Sequence, residues 1–233
     1  MEEMLRVLRS ETAAMGLDLP EETLQTLCRF GEAVVRQNEV MNLTAITEPA
    51  AVAKLHLLDS LTLLKAADFA GKRVLDVGSG AGFPGVPLKI ACQGADVTLL
   101  DSLGKRMNWL SSVLPDLGVS ADCVTARAED YAADHRESYD LVTSRAVARL
   151  NILLELTAPF VKVGGAVLAM KGSAAREELD EAKNAVRQLG LKVEKILDFP
   201  IDGATHSIIV IRKVSPTPAR FPRRYAKIKQ SPL

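Results

Sequence analysis

The chain of 233 residues is 48% hydrophobic and 25% charged, a composition typical of a globular protein that buries a substantial core. Its 29 basic residues balance its 29 acidic residues, so the molecule has no net charge with which to attract a polyanion. No apolar run approaches the roughly 20 residues that cross a bilayer, and the first residues lack the basic and then apolar order of a signal peptide. We therefore expect a cytoplasmic protein with no membrane partner.

The three cysteines, Cys28, Cys92 and Cys123, are widely spaced and include no C-x-x-C pair. An odd number at such spacing favours neither a disulfide framework nor a zinc site. We expect small, buried thiol side chains and no bound metal.

Apolar residues in the first 70 positions repeat at the spacing of amphipathic helices, as in Leu55, Leu58 and Leu61. The sequence therefore predicts an N-terminal helical layer over residues 1–70, packed on the core. His56 lies one helical turn before Asp59, but a lone histidine among leucines indicates a hydrogen-bonded packing residue rather than a catalytic dyad.

From residue 71 onward, short β-rich runs alternate with segments of helical length, which indicates βαβ units and a parallel sheet. The five predicted parallel strands cover residues 73–77, 96–100, 122–125, 139–143 and 166–170.

A glycine-rich turn follows the first predicted strand, from Asp76 to Gly85, and reads D-V-G-S-G-A-G-F-P-G. Gly78, Gly80 and Gly82 let the backbone approach a ligand, and the following helix presents free N–H groups, so the turn predicts a nucleotide-cofactor site. The run fits both the dinucleotide pattern G-x-G-x-x-G and an acidic-x-G-x-G-x-G pattern. Asp76 favours the second pattern, because a carboxylate suits the methionine end of S-adenosylmethionine but repels the pyrophosphate of NAD.

The last two β-rich runs, 192–199 and 206–214, are separated by only six residues, too few for a crossover helix. They predict an antiparallel hairpin that ends the sheet with a reversed strand. A Rossmann-like core over residues 71–214, with five parallel strands plus a C-terminal antiparallel strand, is expected of a class I S-adenosylmethionine-dependent methyltransferase. A NAD-binding sheet is usually parallel throughout.

Two groups at the ends of predicted strands are candidate cofactor ligands. Asp101 ends the second strand, where a carboxylate can accept hydrogen bonds from ribose hydroxyls; the alternative is a helix N-cap. Ala128 and Glu129 follow the third strand, where their backbone N–H groups could bind the adenine edge; the alternative is a solvated connection.

The fourth predicted strand is followed by Ser144-Arg145-Ala146, at the sheet edge where open α/β proteins bind ligands. The chain has neither the Asn/Asp-Pro-Pro-aromatic motif of adenine amine methyltransferases nor the cysteine nucleophile of pyrimidine C5 enzymes. Guanine N7 needs neither deprotonation nor covalent activation, so alignment could supply most of the rate. Arg145 is the candidate catalytic residue, holding guanine through O6 or bracing the cofactor; the alternative is an ion pair with a local carboxylate.

The C-terminal stretch is basic, since residues 206–233 contain seven Lys and Arg residues and no acidic residue. Residues 215–218 resemble a proline-rich linker to a basic tail over residues 215–233. Candidate RNA ligands are Arg220, Arg223, Arg224 and Lys227 in the tail, and Lys171 after the fifth strand. The alternatives are a solvated terminus for the tail and a pairing with a nearby carboxylate for Lys171.

The run from Asp76 to Gly85, with the Val86-Pro87-Leu88 that follows, resembles the signature of the bacterial RsmG (GidB) family. Other motifs similar to those of the family occur in the family order along nearly the whole chain: Asn42-Leu43-Thr44, His56-Leu57-Leu58-Asp59-Ser60, Leu100-Asp101-Ser102-Leu103-Gly104-Lys105-Arg106, Arg127-Ala128-Glu129, Ser144-Arg145-Ala146, Lys171-Gly172 and Arg220-Phe221-Pro222-Arg223-Arg224.

The resemblance implies an enzyme that uses S-adenosylmethionine to methylate N7 of a guanine in the decoding region of 16S ribosomal RNA. Its partner would be 16S rRNA or the small ribosomal subunit. The resemblance also implies cofactor contacts by Gly78, Phe83, Ala128, Glu129 and Arg145.

The tail departs from the family pattern, because many members have a Gly and a Pro where this chain has Tyr225-Ala226-Lys227-Ile228-Lys229-Gln230. Two other classes stay open: a NAD-dependent oxidoreductase, which the first glycine pattern permits, and a non-catalytic RNA-binding protein. The chain lacks a clear second catalytic half after the sheet, which counts against the oxidoreductase.

Overall fold

The computed structural model describes all residues, 1–233, and begins with a layer of helices. Their apolar faces are buried against the sheet, and Leu8, Leu27 and Leu57 are fully buried. The helical layer is thus present as predicted. Its helices are α1 (Glu2–Ala14), α2 (Glu21–Met41), α3 (Pro49–Val52), a π-helical stretch (Ala53–Leu58), α4 (Asp59–Leu61) and α5 (Leu63–Ala66).

Seven strands form one sheet in the order β3-β2-β1-β4-β5-β7-β6. The first five strands pair in parallel, and β7 pairs antiparallel with both β5 and β6. This confirms the predicted class of sheet and the hairpin, with β6 as an additional edge strand. The strands are β1 (Arg73–Val77), β2 (Asp96–Asp101), β3 (Asp122–Thr125), β4 (Tyr139–Arg145), β5 (Val161–Lys171), β6 (Leu191–Ile201) and β7 (Ala204–Lys213).

The remaining helices cover both faces of the sheet, because alternate strand residues point to opposite sides. Val74 and Leu168 belong to the core shared with the N-terminal helices, α6 and α7, whereas Leu75 and Val167 belong to the core under α8 to α11. The helices are α6 (Gly85–Ala91), α7 (Gly104–Val113), α8 (Ala128–Tyr131), α9 (Leu150–Thr157), α10 (Ala175–Glu181), α11 (Lys183–Gln188) and α12 (Tyr225–Gln230), with 3₁₀ turns at Pro115–Leu117 and Ala158–Phe160.

The C-terminal segment packs on the core, whereas the sequence predicted a linker at residues 215–218. The Arg136 guanidinium donates hydrogen bonds to the carbonyls of Thr217 and Phe221, each at 2.6 Å. The side chains of Phe221 and Ile228 are buried. The segment is therefore part of the folded body up to α12.

No helix combines the length and the apolar character that crossing a bilayer requires. The structure has no group of three or more His, Cys, Asp or Glu side chains arranged to hold a metal ion. All three cysteines are free thiols, and only Cys28 is fully buried.

Candidate functional site

The glycine turn between β1 and α6 is held by a buried carboxylate. Asp76 has no exposed surface; its Oδ2 accepts a hydrogen bond from the Gly85 N–H at 3.0 Å, and its Oδ1 accepts one from the Thr143 hydroxyl at 3.1 Å. Burial raises the pKa of Asp76 to about 6. The sequence analysis related this carboxylate to the methionine end of the cofactor; in the structure it joins the turn to β4 and lines neither of the two cavities described below.

The first cavity lies at the carboxyl ends of β1, β2 and β3 and has a volume of about 390 Å³. Four of the predicted cofactor ligands meet in its lining: Gly78, Asp101, Ala128 and Glu129. The other lining residues are Val77, Leu100, Ser102, Leu103, Arg106, Ala126, Arg127, Ala146, Val147, Leu156 and Tyr225. This edge is where open α/β sheets bind ligands.

Asp101 holds two backbone segments at the cavity and is not the N-cap of α7, which is Leu103. Its Oδ2 accepts a hydrogen bond from the Gly80 N–H at 2.9 Å, and its Oδ1 accepts one from the Leu103 N–H at 2.8 Å just before α7. Each carboxylate oxygen has a second acceptor position. Asp101 can thus fix the turn and still bind a ligand in the cavity.

Gly78 lies against the loop that follows β4. Its φ is +74°, and a Cβ built on it would lie 2.2 Å from Cγ2 of Val147. Gly82 faces the core, where an added Cβ would lie 2.8 Å from Val86. Neither Gly80 nor Gly82 lines the first cavity. Only Gly78 therefore brings its backbone directly to the cavity.

The second cavity adjoins the first and has a volume of about 590 Å³. Both cavities are lined by Ala146 and Val147, which form the wall between them. Ala146 has a φ of +56°, an uncommon value for a residue with a side chain. The other lining residues are Ile46, Leu55, His56, Asp59, Arg145, Ala148, Arg149, Met170, Lys171, Gly172, Glu178 and His206.

Arg145 ends β4 and lines the second cavity, not the first. Its Nη1 donates to the Leu55 carbonyl at 2.9 Å and to Oδ2 of Asp59 at 2.8 Å, and its Nη2 donates to Nδ1 of His56 at 3.2 Å. Its guanidinium carbon lies 5.2 Å from the centroid of the Phe83 ring. Arg145 therefore forms an ion pair with a local carboxylate, that of Asp59, as the alternative interpretation of the sequence predicted. This ion pair fixes the guanidinium at the wall of the second cavity.

Phe83 lines neither cavity, although the family resemblance implies a cofactor contact for it. Its ring is buried and stacks on His56, with 4.7 Å between the ring centroids. His56 in turn contacts the Thr44 hydroxyl, 2.8 Å from its Nε2. Burial, aided by the nearby Arg145 charge, lowers the pKa of His56 to about 4, so the ring is neutral and accepts the Arg145 hydrogen bond.

His206 joins the same cluster from β7, which the sequence analysis did not foresee. Its Nδ1 lies 2.8 Å from Oδ1 of Asp59, and this hydrogen bond raises the pKa of His206 above its usual value. One carboxylate therefore binds both the Arg145 guanidinium and the His206 ring. No local sequence pattern marks this contact, because Asp59 and His206 are 147 positions apart.

Two predicted RNA ligands are engaged within the protein. The Lys171 side chain is only 7% exposed and lies 2.8 Å from the Glu178 carboxylate. Arg223 binds the fully buried Glu155 through its backbone N–H at 2.9 Å and its Nε at 2.7 Å. Because a buried carboxylate without its partner is costly, we assign Arg223 to anchoring the tail instead of binding phosphate.

The other three predicted RNA ligands, Arg220, Arg224 and Lys227, have exposed side chains. Together with the exposed Lys229, they carry the positive charge that the tail presents to solvent, and Tyr225 of the same tail lines the first cavity.

The fold is that of class I S-adenosylmethionine-dependent methyltransferases. TYW2 from M. jannaschii, solved in complex with AdoMet, gives a TM-score of 0.56 at 14% identity, covering 68% of this chain and 76% of that one. TrmN from Thermus thermophilus gives a TM-score of 0.56 at 19% identity, covering 80% of this chain and 52% of that one.

Sequence comparisons then identify the family. The family model described as rRNA small subunit methyltransferase G matches residues 23–205. The Ribosomal RNA small subunit methyltransferase G of Clostridium botulinum (strain Loch Maree / Type A3) is 39% identical over 99% of both chains. That of Desulfitobacterium hafniense (strain Y51) is 42% identical over 94% of this chain and 93% of its own. The chain belongs to the rRNA small subunit methyltransferase G family, as the motif resemblance predicted.

The contact of Gly78 with Val147 predicts that Gly78→Ala weakens the binding of S-adenosylhomocysteine by at least about tenfold, since the new methyl group displaces the wall between the cavities. Gly118→Ala is the matched control, because Gly118 has a φ of +68° but nothing within 4 Å of the added Cβ. Both variants carry a backbone strain of about 1 kcal/mol. Titration calorimetry checks the prediction, and equal affinities for the two variants would contradict it.

The contacts around Asp59 predict that His56 has a pKa below the ordinary histidine value of 6.5 and that His206 has a pKa above it. The low pKa of His56 contributes stability that is present above pH 6.5 and is lost as pH falls toward about 4. The raised pKa of His206 contributes stability that is present below pH 6.5 and is lost as pH rises through its folded-state pKa. NMR titration of the ring resonances measures both values.

Asp59→Asn is the diagnostic variant for this titration, because it removes the main cause of the raised pKa of His206. We expect the pKa of His206 to fall while His56 stays far below 6.5, since burial dominates its shift. A common titration midpoint for both rings in the unmodified protein would rule out this arrangement.

Proposed function

We propose that the protein transfers a methyl group from S-adenosylmethionine to N7 of a guanine in the decoding region of 16S ribosomal RNA. The observation that carries this proposal is the pair of cavities that meet at Ala146 and Val147. One contains groups suited to a nucleoside cofactor, and the other contains a fixed guanidinium. The names of the relatives support the class of substrate, since both are ribosomal RNA small subunit methyltransferases.

The residues of the first cavity fit S-adenosylmethionine, which supplies an electrophilic methyl group on a positively charged sulfur. Gly78 brings its backbone to the cavity at a point where a Cβ would collide with Val147, and Asp101 offers carboxylate oxygens to ribose hydroxyls. Ala128 and Glu129 begin α8, so their backbone N–H groups have no partner within the helix and can bind the adenine edge.

Three further predicted cofactor residues act indirectly in this proposal. Gly80 and Gly82 shape the turn that presents Gly78. Phe83 packs beneath the Arg145 guanidinium and helps to fix its position.

Arg145 positions the acceptor base in the second cavity. A guanidinium has five N–H groups, and the protein accepts three hydrogen bonds from Arg145, which leaves two for a ligand. Guanine O6 is the acceptor that arginine commonly binds. Because N7 has a free lone pair and no proton to remove, the site needs no general base, and holding the base in line with the methyl group supplies the rate enhancement.

The exposed tail residues Arg220, Arg224 and Lys227 bind phosphates of the RNA. The whole chain has no net charge, so attraction to RNA depends on such local clusters. Since the substrate is ribosomal RNA, we infer that the enzyme works in the cytoplasm on 16S rRNA or the small subunit. No observation favours NAD-dependent oxidation or RNA binding without catalysis.

The decisive test offers labelled S-adenosylmethionine with 16S rRNA, both naked and in small subunits, and identifies the product base by mass spectrometry. We expect labelled 7-methylguanine. Arg145→Lys keeps the charge but loses the planar donor set, so we expect transfer to fall by about 100-fold. Binding of S-adenosylhomocysteine with no labelled 7-methylguanine from either RNA form would refute the acceptor assignment.

Neutralising Arg220, Arg224 and Lys227 together as glutamines should weaken RNA binding and reduce the slope of log affinity against log salt by about 2. The matched control neutralises three other exposed lysines, Lys183 of α11 and Lys192 and Lys195 of the edge strand β6. Filter binding over a salt series measures both slopes. An unchanged slope in the tail variant would show that the tail does not bind phosphate.

A further inference from the structure

Tyr225 is the residue of the C-terminal segment 215–233 that lines the first cavity. It is the first residue of α12 and is half-buried. Its hydroxyl has no hydrogen-bond partner in the protein, so polar contacts do not account for the position of the ring. The sequence analysis gave it no role.

Residues before and after Tyr225 in the sequence fix the position of its ring. Two residues earlier, Arg223 binds the buried Glu155, whose neighbour in α9, Leu156, also lines the first cavity. Three residues later, Ile228 is fully buried. Tyr225 therefore belongs to a fixed wall of the cavity.

Helix α9 connects the part of the cavity lined by Tyr225 with the part lined by Ala128 and Glu129. Ala146 and Val147 mark the end shared with the second cavity. Helix α9 packs against both α8, which begins at Ala128, and α12, which begins at Tyr225. Tyr225, Ala128 and Glu129 therefore line the cavity from elements that pack on the same helix.

We propose that Tyr225 is a cofactor-binding residue whose ring packs on the nucleoside end of S-adenosylmethionine. This inference rests on the proposed function, since it assigns the cofactor to the first cavity. Aromatic rings stack on bases through their faces, and such contacts need no hydrogen bond. The Nζ of Lys229 lies 5.8 Å from the centroid of this ring.

The test compares Tyr225→Ala, Tyr225→Phe and the unmodified full chain by calorimetry with S-adenosylhomocysteine and with 5′-methylthioadenosine. Tyr225→Ala should weaken the binding of both ligands by the same factor, about tenfold, because both contain the nucleoside. Tyr225→Phe should stay within about twofold of the unmodified protein, since the ring is kept. Gln230→Ala, an exposed position of the same helix, is the matched control and should bind normally.

Tyr225→Trp provides a second measurement that does not depend on removing the side chain. Its emission, corrected for the single natural tryptophan Trp109, should change when S-adenosylhomocysteine saturates the site. No change in emission, or normal affinity of Tyr225→Ala, overturns the proposal. If Tyr225→Ala binds S-adenosylhomocysteine more weakly but binds 5′-methylthioadenosine normally, the assignment to the nucleoside end is overturned. An unmodified protein that binds neither ligand overturns the proposed cofactor as well.

Discussion

The two hydrogen bonds accepted by buried Asp76 fix the geometry on which the site depends. One carboxylate ties the N-terminus of α6 to the end of β1 and, through Thr143, to β4. The parallel pairing of β1 with β4 places Asp76 opposite Thr143, so the sheet register itself makes the second bond possible. Asp76 thus fixes the glycine turn relative to β4 and the loop that follows it. In this arrangement Gly78 lies against Val147, which lines both cavities.

Much of this arrangement could be read from local sequence. Strands 73–77 and 122–125 lie where the pattern of β-rich runs predicted them, and the glycine turn lies beside Asp101, Ala128 and Glu129. The role of Asp76 could not be read in the same way, because a carboxylate at that spacing serves equally as a ligand or as a buried anchor. Only its burial and its two partners distinguish these roles.

The tail illustrates a second limit of sequence reasoning. The sequence alone does not distinguish one basic residue of the tail from another. In the structure, Arg223 lies against a buried glutamate, while Arg224 faces solvent. The partner of Arg223, Glu155, lies 68 positions away on α9, so nothing near it in sequence separates it from its neighbours. The tail therefore combines a residue that anchors it, Arg223, with residues that face solvent, and the distant Glu155 distinguishes Arg223 from its neighbours.

The sharing of Asp59 between Arg145 and His206 also has a consequence for the order in which the molecule assembles. His206 belongs to β7, the last strand to leave the ribosome, and contacts so distant along the chain form late in folding. A nascent chain that already contains the glycine turn would still lack this contact on Asp59. The second cavity is therefore complete only when β7 has joined the sheet, and a partly made chain lacks the His206 part of its wall.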